Sequence, residues 1–180
     1  MTVELDRIKE KLQDLEIPFE ESHYENRIIF WQEIEVFPDE EKPAPYPVLA
    51  LTIKSNNDKK DLAVVFEQVG NRYEFCDLFF GSFGFELFDS DEEVTDDLLL
   101  DLIKNVMQNE ATVIYAVDIT KNKWLWDGIF DLNDPDPHDK EEFEQKLIEI
   151  QKPKKGLSKL LDHETRYEIY NWNTYRCVLN

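Results

Sequence analysis

The stretch that decides the fold is LAVVFEQV-GN-RYEFCDL, residues 62–78. Two runs rich in β-branched and aromatic residues flank Gly70-Asn71, a pair that tolerates positive φ. Such runs around such a pair predict a β-hairpin. The text on either side extends the pattern. Val48 to Ile53 (VLALTI) reads as a further strand, joined through the polar turn SNNDKKD. Downstream, the aromatic run FFGSFGFELF (Phe79 to Phe88) carries Gly81 and Gly84, where a turn or bulge is expected. If that run is extended, Phe83, Phe85 and Leu87 share a face.

Helices frame these strands. Leu5, Ile8, Leu12 and Leu15 recur at helical spacing, and Pro18 closes the helix they define. Ser90-Asp91-Glu92-Glu93 reads as a capping box that opens a helix reaching about Asn109, with Val94, Leu98, Leu99, Leu102, Ile103 and Val106 as its apolar stripe. Residues 139 to about 151 put Phe143, Leu147 and Ile150 in step, and Pro153 ends that helix. A short helix near Leu157 to Leu161 is expected to follow. Arg27 to Phe37 (RIIFWQEIEVF) reads as a strand from its β-branched and aromatic content. The four prolines between Pro38 and Pro47 make the next segment a loop. Thr112 to Ile119, the turn Lys121-Asn122 and Lys123 to Phe130 predict a second hairpin. The C-terminal text RYEIYNWNTYRCVLN is strand-like, bent near Asn173. Tight turns outnumber crossovers and no regular βαβ alternation occurs. The expected fold is therefore α+β: one domain over residues 1–180, a mostly antiparallel sheet, and three to four helices on one of its faces.

Charge narrows the function. The 180 residues hold 20 Lys and Arg against 40 Asp and Glu, a formal charge of -20. Such a chain has no means of gaining affinity from polyanions, which excludes nucleic acid as a partner and disfavours an anionic membrane surface. It is not a disordered acidic tail, since 42% of it is hydrophobic and 13% aromatic. No apolar run approaches a membrane span, and the N-terminus lacks the basic and apolar regions of a signal peptide, so a cytoplasmic protein is expected. Cys76 and Cys177 sit in apolar strand text and read as two buried thiols.

The acidity is uneven. Residues 61–120 carry 14 acids and 2 bases, net -12, whereas residues 121–180 carry 12 and 10. Asp89, Asp91, Glu92, Glu93, Asp96 and Asp97 form one dense group at the expected helix start. The helix dipole favours carboxylates there, but six in nine positions exceeds what a helix start requires, and a basic partner would relieve the surplus repulsion. Trp124 and Trp126, on one face of their predicted strand, are the aromatic candidates for anchoring a partner. Tyr167, Tyr170, Trp172 and Tyr175 crowd the C-terminal strand text beyond what one buried face can hold.

Catalytic and metal templates fail. His23, His138 and His163 stand at no ligand spacing from one another or from a cysteine. A calcium loop begun at Asp131 meets Pro135 fifth and Asp136 at the glycine position. Begun at Asp89, it meets Val94 at the glycine position and Leu100 at the final glutamate. Asp131, Asp134, Asp136 and Asp139 read instead as a Pro-Asp turn with Asp139 capping the next helix. Neither a nucleophile elbow nor a Cys–His pair occurs. The chain is read as a non-enzyme without cofactor or metal, and the alternative to a protein-binding role is a stand-alone regulatory or small-molecule-binding domain.

The stretch YEFCDLFFGSFGFELFD (Tyr73 to Asp89), running into an acidic capped helix, resembles the immunity proteins that accompany bacterial polymorphic toxins. What the resemblance implies is a tight inhibitor of a basic cognate toxin, often a nuclease, with the acidic group standing in for phosphate in the toxin's active site.

Overall fold

The fold is described from a computed structural model covering residues 3–35, 47–85, 87, 94–133, 138–152 and 164–180. Helix α1 (Leu5–Asp14) leads into β1 (Glu20–Tyr24), α2 (Arg27–Glu33), β2 (Val48–Ile53), β3 (Leu62–Val69), β4 (Arg72–Phe80) and β5 (Phe83–Gly84). Helix α3 (Asp96–Met107), β6 (Ala111–Asp118), β7 (Lys123–Asp131), α4 (His138–Gln151), β8 (Thr165–Tyr170) and β9 (Tyr175–Leu179) follow. Strands β1 to β5 form one antiparallel sheet in chain order, and a second antiparallel sheet has the order β7-β6-β8-β9. The class is α+β, as expected, but the strands divide into two sheets.

The central core lies where the inner faces of both sheets meet the apolar stripes of α1 and α3. Leu49, Leu51 and Ile53 of β2 and Leu62, Val64 and Phe66 of β3 point into it, as do Val113, Tyr115 and Val117 of β6. The alternate residues Val48, Ala50, Ala63 and Val65 face outward and lie under Phe30 of α2. Ile114 likewise faces outward, packed with Phe130 of β7 and Ile150 of α4. Strands β2, β3 and β6 are therefore covered on both faces, which is why they read as near-continuous apolar runs. The helices do not share one face, since α2 and α4 cap the outer faces of different sheets.

Several expectations need correction. Arg27 to Glu33 is a helix. Asn26 caps it, its side chain accepting from the Ile29 backbone N–H at 3.1 Å, and Phe30, Trp31 and Ile34 then meet the outer face of the first sheet. β-propensity here yields to a cap and a surface to cover. The helix stops at Ile34, and Glu35 takes the left-handed conformation with φ 59°. Strand β1, EESHY, is polar on both sides and gave no alternation to read. Helix α3 begins later than Ser90 suggests: Thr95 is its cap, Oγ1 accepting from the Leu98 N–H at 3.2 Å. Leu15 and Leu98, placed in apolar stripes by their spacing, are exposed. Residues 36–46, the capping box at 90–93, Pro153 and the expected helix at 157–161 lie outside the described residues.

Candidate functional site

The acidic group divides. Asp89, Asp91, Glu92 and Glu93 lie outside the described residues. Asp96 is not on the surface. Its side chain is 4% exposed, with Oδ2 3.0 Å from Arg7 Nε of α1. Asp97, 86% exposed, meets Lys11 Nζ at 2.6 Å, and that bond holds its carboxyl below the usual range. The start of α3 is thus fastened to α1 by two ion pairs. A third ties Lys9 to Glu21 of β1. The bases of α1 are all turned to these partners. Asp6, Glu10 and Asp14, spaced four apart, stay exposed along one side of the same helix.

Trp124 and Trp126 do not share a face. Ala116 pairs with Trp126 and Val117 with Trp124, so Leu125 is the extra residue of a β-bulge. Trp124 turns to the central core and donates from Nε1 to Asp127 Oδ2 at 3.1 Å. Trp126 turns to the outer face beside Tyr167, with Lys146 Nζ 5.1 Å from its ring centroid. Both rings are half-buried.

Sequence reasoning missed a buried charge network between the sheets. Lys60, just before β3, is buried, and its ammonium lies 2.7 Å from Glu168 of β8, 3.1 Å from Glu35 and 3.2 Å from Ser82 Oγ. Arg166 Nε lies 3.1 Å from the other Glu168 oxygen, and its guanidinium is 3.5 Å from Glu35. The Ser82 hydroxyl in turn donates to the Ile34 carbonyl at 2.8 Å. Burial pushes the Glu35 carboxyl up, but the Lys60 ammonium beside it outweighs this and holds it below its ordinary value. Burial and the nearby Glu168 charge push the Tyr175 phenol well up. The Tyr170 hydroxyl, fully buried, donates to the Phe80 carbonyl at 2.8 Å and joins the sheets a second time. Lys60 gave no signal because it stands in the polar turn SNNDKKD, where lysines are normally solvated.

A second group gathers under α2. Strand β4 bulges at Cys76, since Val65 pairs with Asp77 and Phe66 with Phe75. Arg27 meets the Cys76 sulfur, reaches Glu67 at 2.7 Å and Asp77 at 3.9 Å, and lies over the Trp31 ring. Burial drives the Cys76 thiol far above its normal range, which disfavours its thiolate. Burial also raises the Asp77 carboxyl despite Arg27. Cys177, expected buried, is exposed on β9, and both cysteines are free.

Beside α2 a cleft of about 350 Å³ opens over β1 and β2, lined by Glu20, Tyr24, Glu33, Lys54 and Asp61 among others. Several of its charges have partners: Lys54 holds Asp61 at 2.9 Å and Glu20 at 3.5 Å, while Glu33 accepts from Tyr24. Asp139 Oδ2 accepts from the Asp131 N–H at 2.9 Å, which orients the start of α4. Among the described residues, no helix is long and apolar enough to cross a membrane. No protein family, curated protein or solved structure matches the chain.

Proposed function

We propose that this chain is a non-catalytic acidic binding module of the cytoplasm that neutralises a basic protein, in the manner of an immunity protein against its toxin. The observation that carries the reading is the arrangement of charge on α1. Arg7, Lys9 and Lys11 are each committed to a carboxylate of the same chain, so they offset none of the charge on Asp6, Glu10 and Asp14. Two of those ion pairs lead to Asp96 and Asp97, a few positions after Asp89, Asp91, Glu92 and Glu93 in the chain. An uncompensated acidic surface of this kind speeds encounter with a basic protein and repels nucleic acid. Asp96 supports this surface from beneath through Arg7 rather than touching the partner.

The test removes charge and leaves the ion pairs of α1 in place. Asp6, Glu10 and Asp14 are changed to the amides in one variant, Asp91 and Glu92 in another, with Asp96 left intact. Basic proteins captured from the source cells are then measured by stopped flow. On-rates should fall at least about tenfold at low salt, and the difference should close near ~0.5 M. Unchanged, salt-insensitive on-rates in both variants reject the reading.

A further inference from the structure

We propose that β9 is a self-association edge, on which a second copy of this chain adds its own β9 antiparallel across a two-fold axis at Cys177. The phase of the backbone hydrogen bonds carries the argument. Thr165 and Asn180 exchange both of their bonds, at 2.8 and 3.0 Å, and beyond the other end the Asn171 N–H reaches the Thr174 carbonyl at 3.0 Å. In an antiparallel ladder, bonded and non-bonded pairs alternate. Tyr167–Val178 and Ile169–Arg176 are therefore the bonded pairs, and Arg166–Leu179, Glu168–Cys177 and Tyr170–Tyr175 are not. The N–H and C=O groups of Tyr175, Cys177 and Leu179 consequently point away from β8, into the sheet edge. Among the described residues no strand pairs with that edge. Cys177 and Arg176 are exposed, and Leu179 is 58% exposed.

The other edges are guarded. Strand β1 carries Glu20 and Glu21, β5 has two residues, and β7 is bulged at Leu125. These are the devices that keep sheet edges from joining. Strand β9, YRCVL, has no proline, no bulge and no acid. Its single charge, Arg176, makes it a locally basic place on an acidic chain. That disfavours a basic protein as occupant, whereas a second copy sets Arg176 against an uncharged residue. The two-fold register is self-complementary. Cys177 faces Cys177 of the other copy, Tyr175 faces Leu179, and Arg176 faces Val178, so no like charges stand opposite. Every outward N–H and C=O then has a partner, and the two four-stranded sheets become one.

Sedimentation in reducing buffer tests this, with wild type compared against Cys177→Pro. Proline at 177 removes an N–H that β8 does not use, so the strand itself should persist. Wild type should shift from monomer toward twice its mass as concentration rises. The shift should grow between about 0.05 and 0.5 M salt, as repulsion between two acidic bodies is screened. Cys177→Pro should stay monomeric with an unchanged far-ultraviolet spectrum. Independently, a short bis-maleimide should cross-link wild type at Cys177, because facing Cα atoms in a bonded pair lie only ~5.5 Å apart. A wild type that stays monomeric at every concentration and salt, or a dimer that the bis-maleimide does not cross-link at Cys177, overturns the proposal. This readout does not involve the basic partner, so it stands or falls apart from the reading above.

Discussion

Lys60 and Glu168 lie 108 positions apart in the chain and 2.7 Å apart in space, and both are buried where the two sheets meet. Each charge answers the other, and Glu35, Ser82 and Arg166 complete the set. A buried pair of this kind fixes how one sheet sits on the other. Its contribution to stability is best read from what happens when half of it is removed.

Lys60→Met leaves Glu168 with Arg166 as its remaining counter-ion, and Glu168→Gln leaves Lys60 with Glu35. Each single change should destabilise in urea unfolding, by less than the roughly 3–5 kcal/mol of a buried charge left bare. The double variant should recover much of that loss, since Arg166 and Glu35 still face each other at 3.5 Å. Additive losses would show that the two residues act separately.

Gly81 makes room for Lys60. Its φ is 58°, and a Cβ there would stand 2.7 Å from Lys60 Cδ. Gly81→Ala should lose on the order of 1–3 kcal/mol from the left-handed backbone, plus the clash. In a Lys60→Ala background the Cδ and Cγ contacts are gone and only the Cβ contact at 2.9 Å remains, so the second loss should be smaller than the first. Equal losses in the two backgrounds would leave the backbone as the sole cause.

Asp77 and Glu35 should respond to pH in opposite senses. Burial raises the Asp77 carboxyl, so the folded chain holds that proton more tightly than the unfolded one. Ionised Asp77 therefore costs stability at neutral pH, and the cost fades as pH falls through the raised folded value and is gone below the unfolded one. Asp77→Asn should raise Tm at pH 7, with the gain shrinking toward zero near pH ~3. Glu35 is held low, so Glu35→Gln should lower Tm at pH 7, and that loss should fade as pH falls through the depressed value. Parallel thermal melts from pH 7 to 3 decide both signs.

Leu125 is the extra residue of the β7 bulge, so its deletion should restore regular pairing without moving Trp124 or Trp126 to another face. Deleting Ile129 instead throws one end of β7 out of phase with β6 and turns its residues over. The Leu125 deletion should therefore retain a cooperative melt while the Ile129 deletion loses it. Tryptophan fluorescence during unfolding reports on both.

The sequence disclosed what local periodicity controls. The Gly70-Asn71 hairpin, the Lys121-Asn122 hairpin, α1, α3 and α4 all follow from turn chemistry and apolar spacing. Strand β1 was silent because an edge strand with two polar faces needs no alternation. Helix α2 was misread because Ile28, Ile29 and Phe30 favour strands on their own, and the Asn26 cap with an exposed sheet face beside it decides otherwise. The bulge at Leu125 is one residue with no spelling of its own, and missing it placed two tryptophans on one face. Asp96 looked like surface charge because its partner, Arg7, lies in another element. Lys60 was invisible for the same reason, at longer range.

The order of the strands also bears on how the chain is made. Strands β1 to β5 pair only with their sequence neighbours, so the first sheet can close on a ribosome while α3 and everything after it is still to come. The second sheet cannot, because β8 must dock against β6 across α4. Until β8 arrives, Lys60 has no Glu168, and the Phe80 carbonyl has no Tyr170 hydroxyl. A nascent chain stalled before residue 164 would carry a finished meander whose seam with the second sheet is still open and whose Lys60 ammonium is left with Glu35, a natural substrate for holdase chaperones.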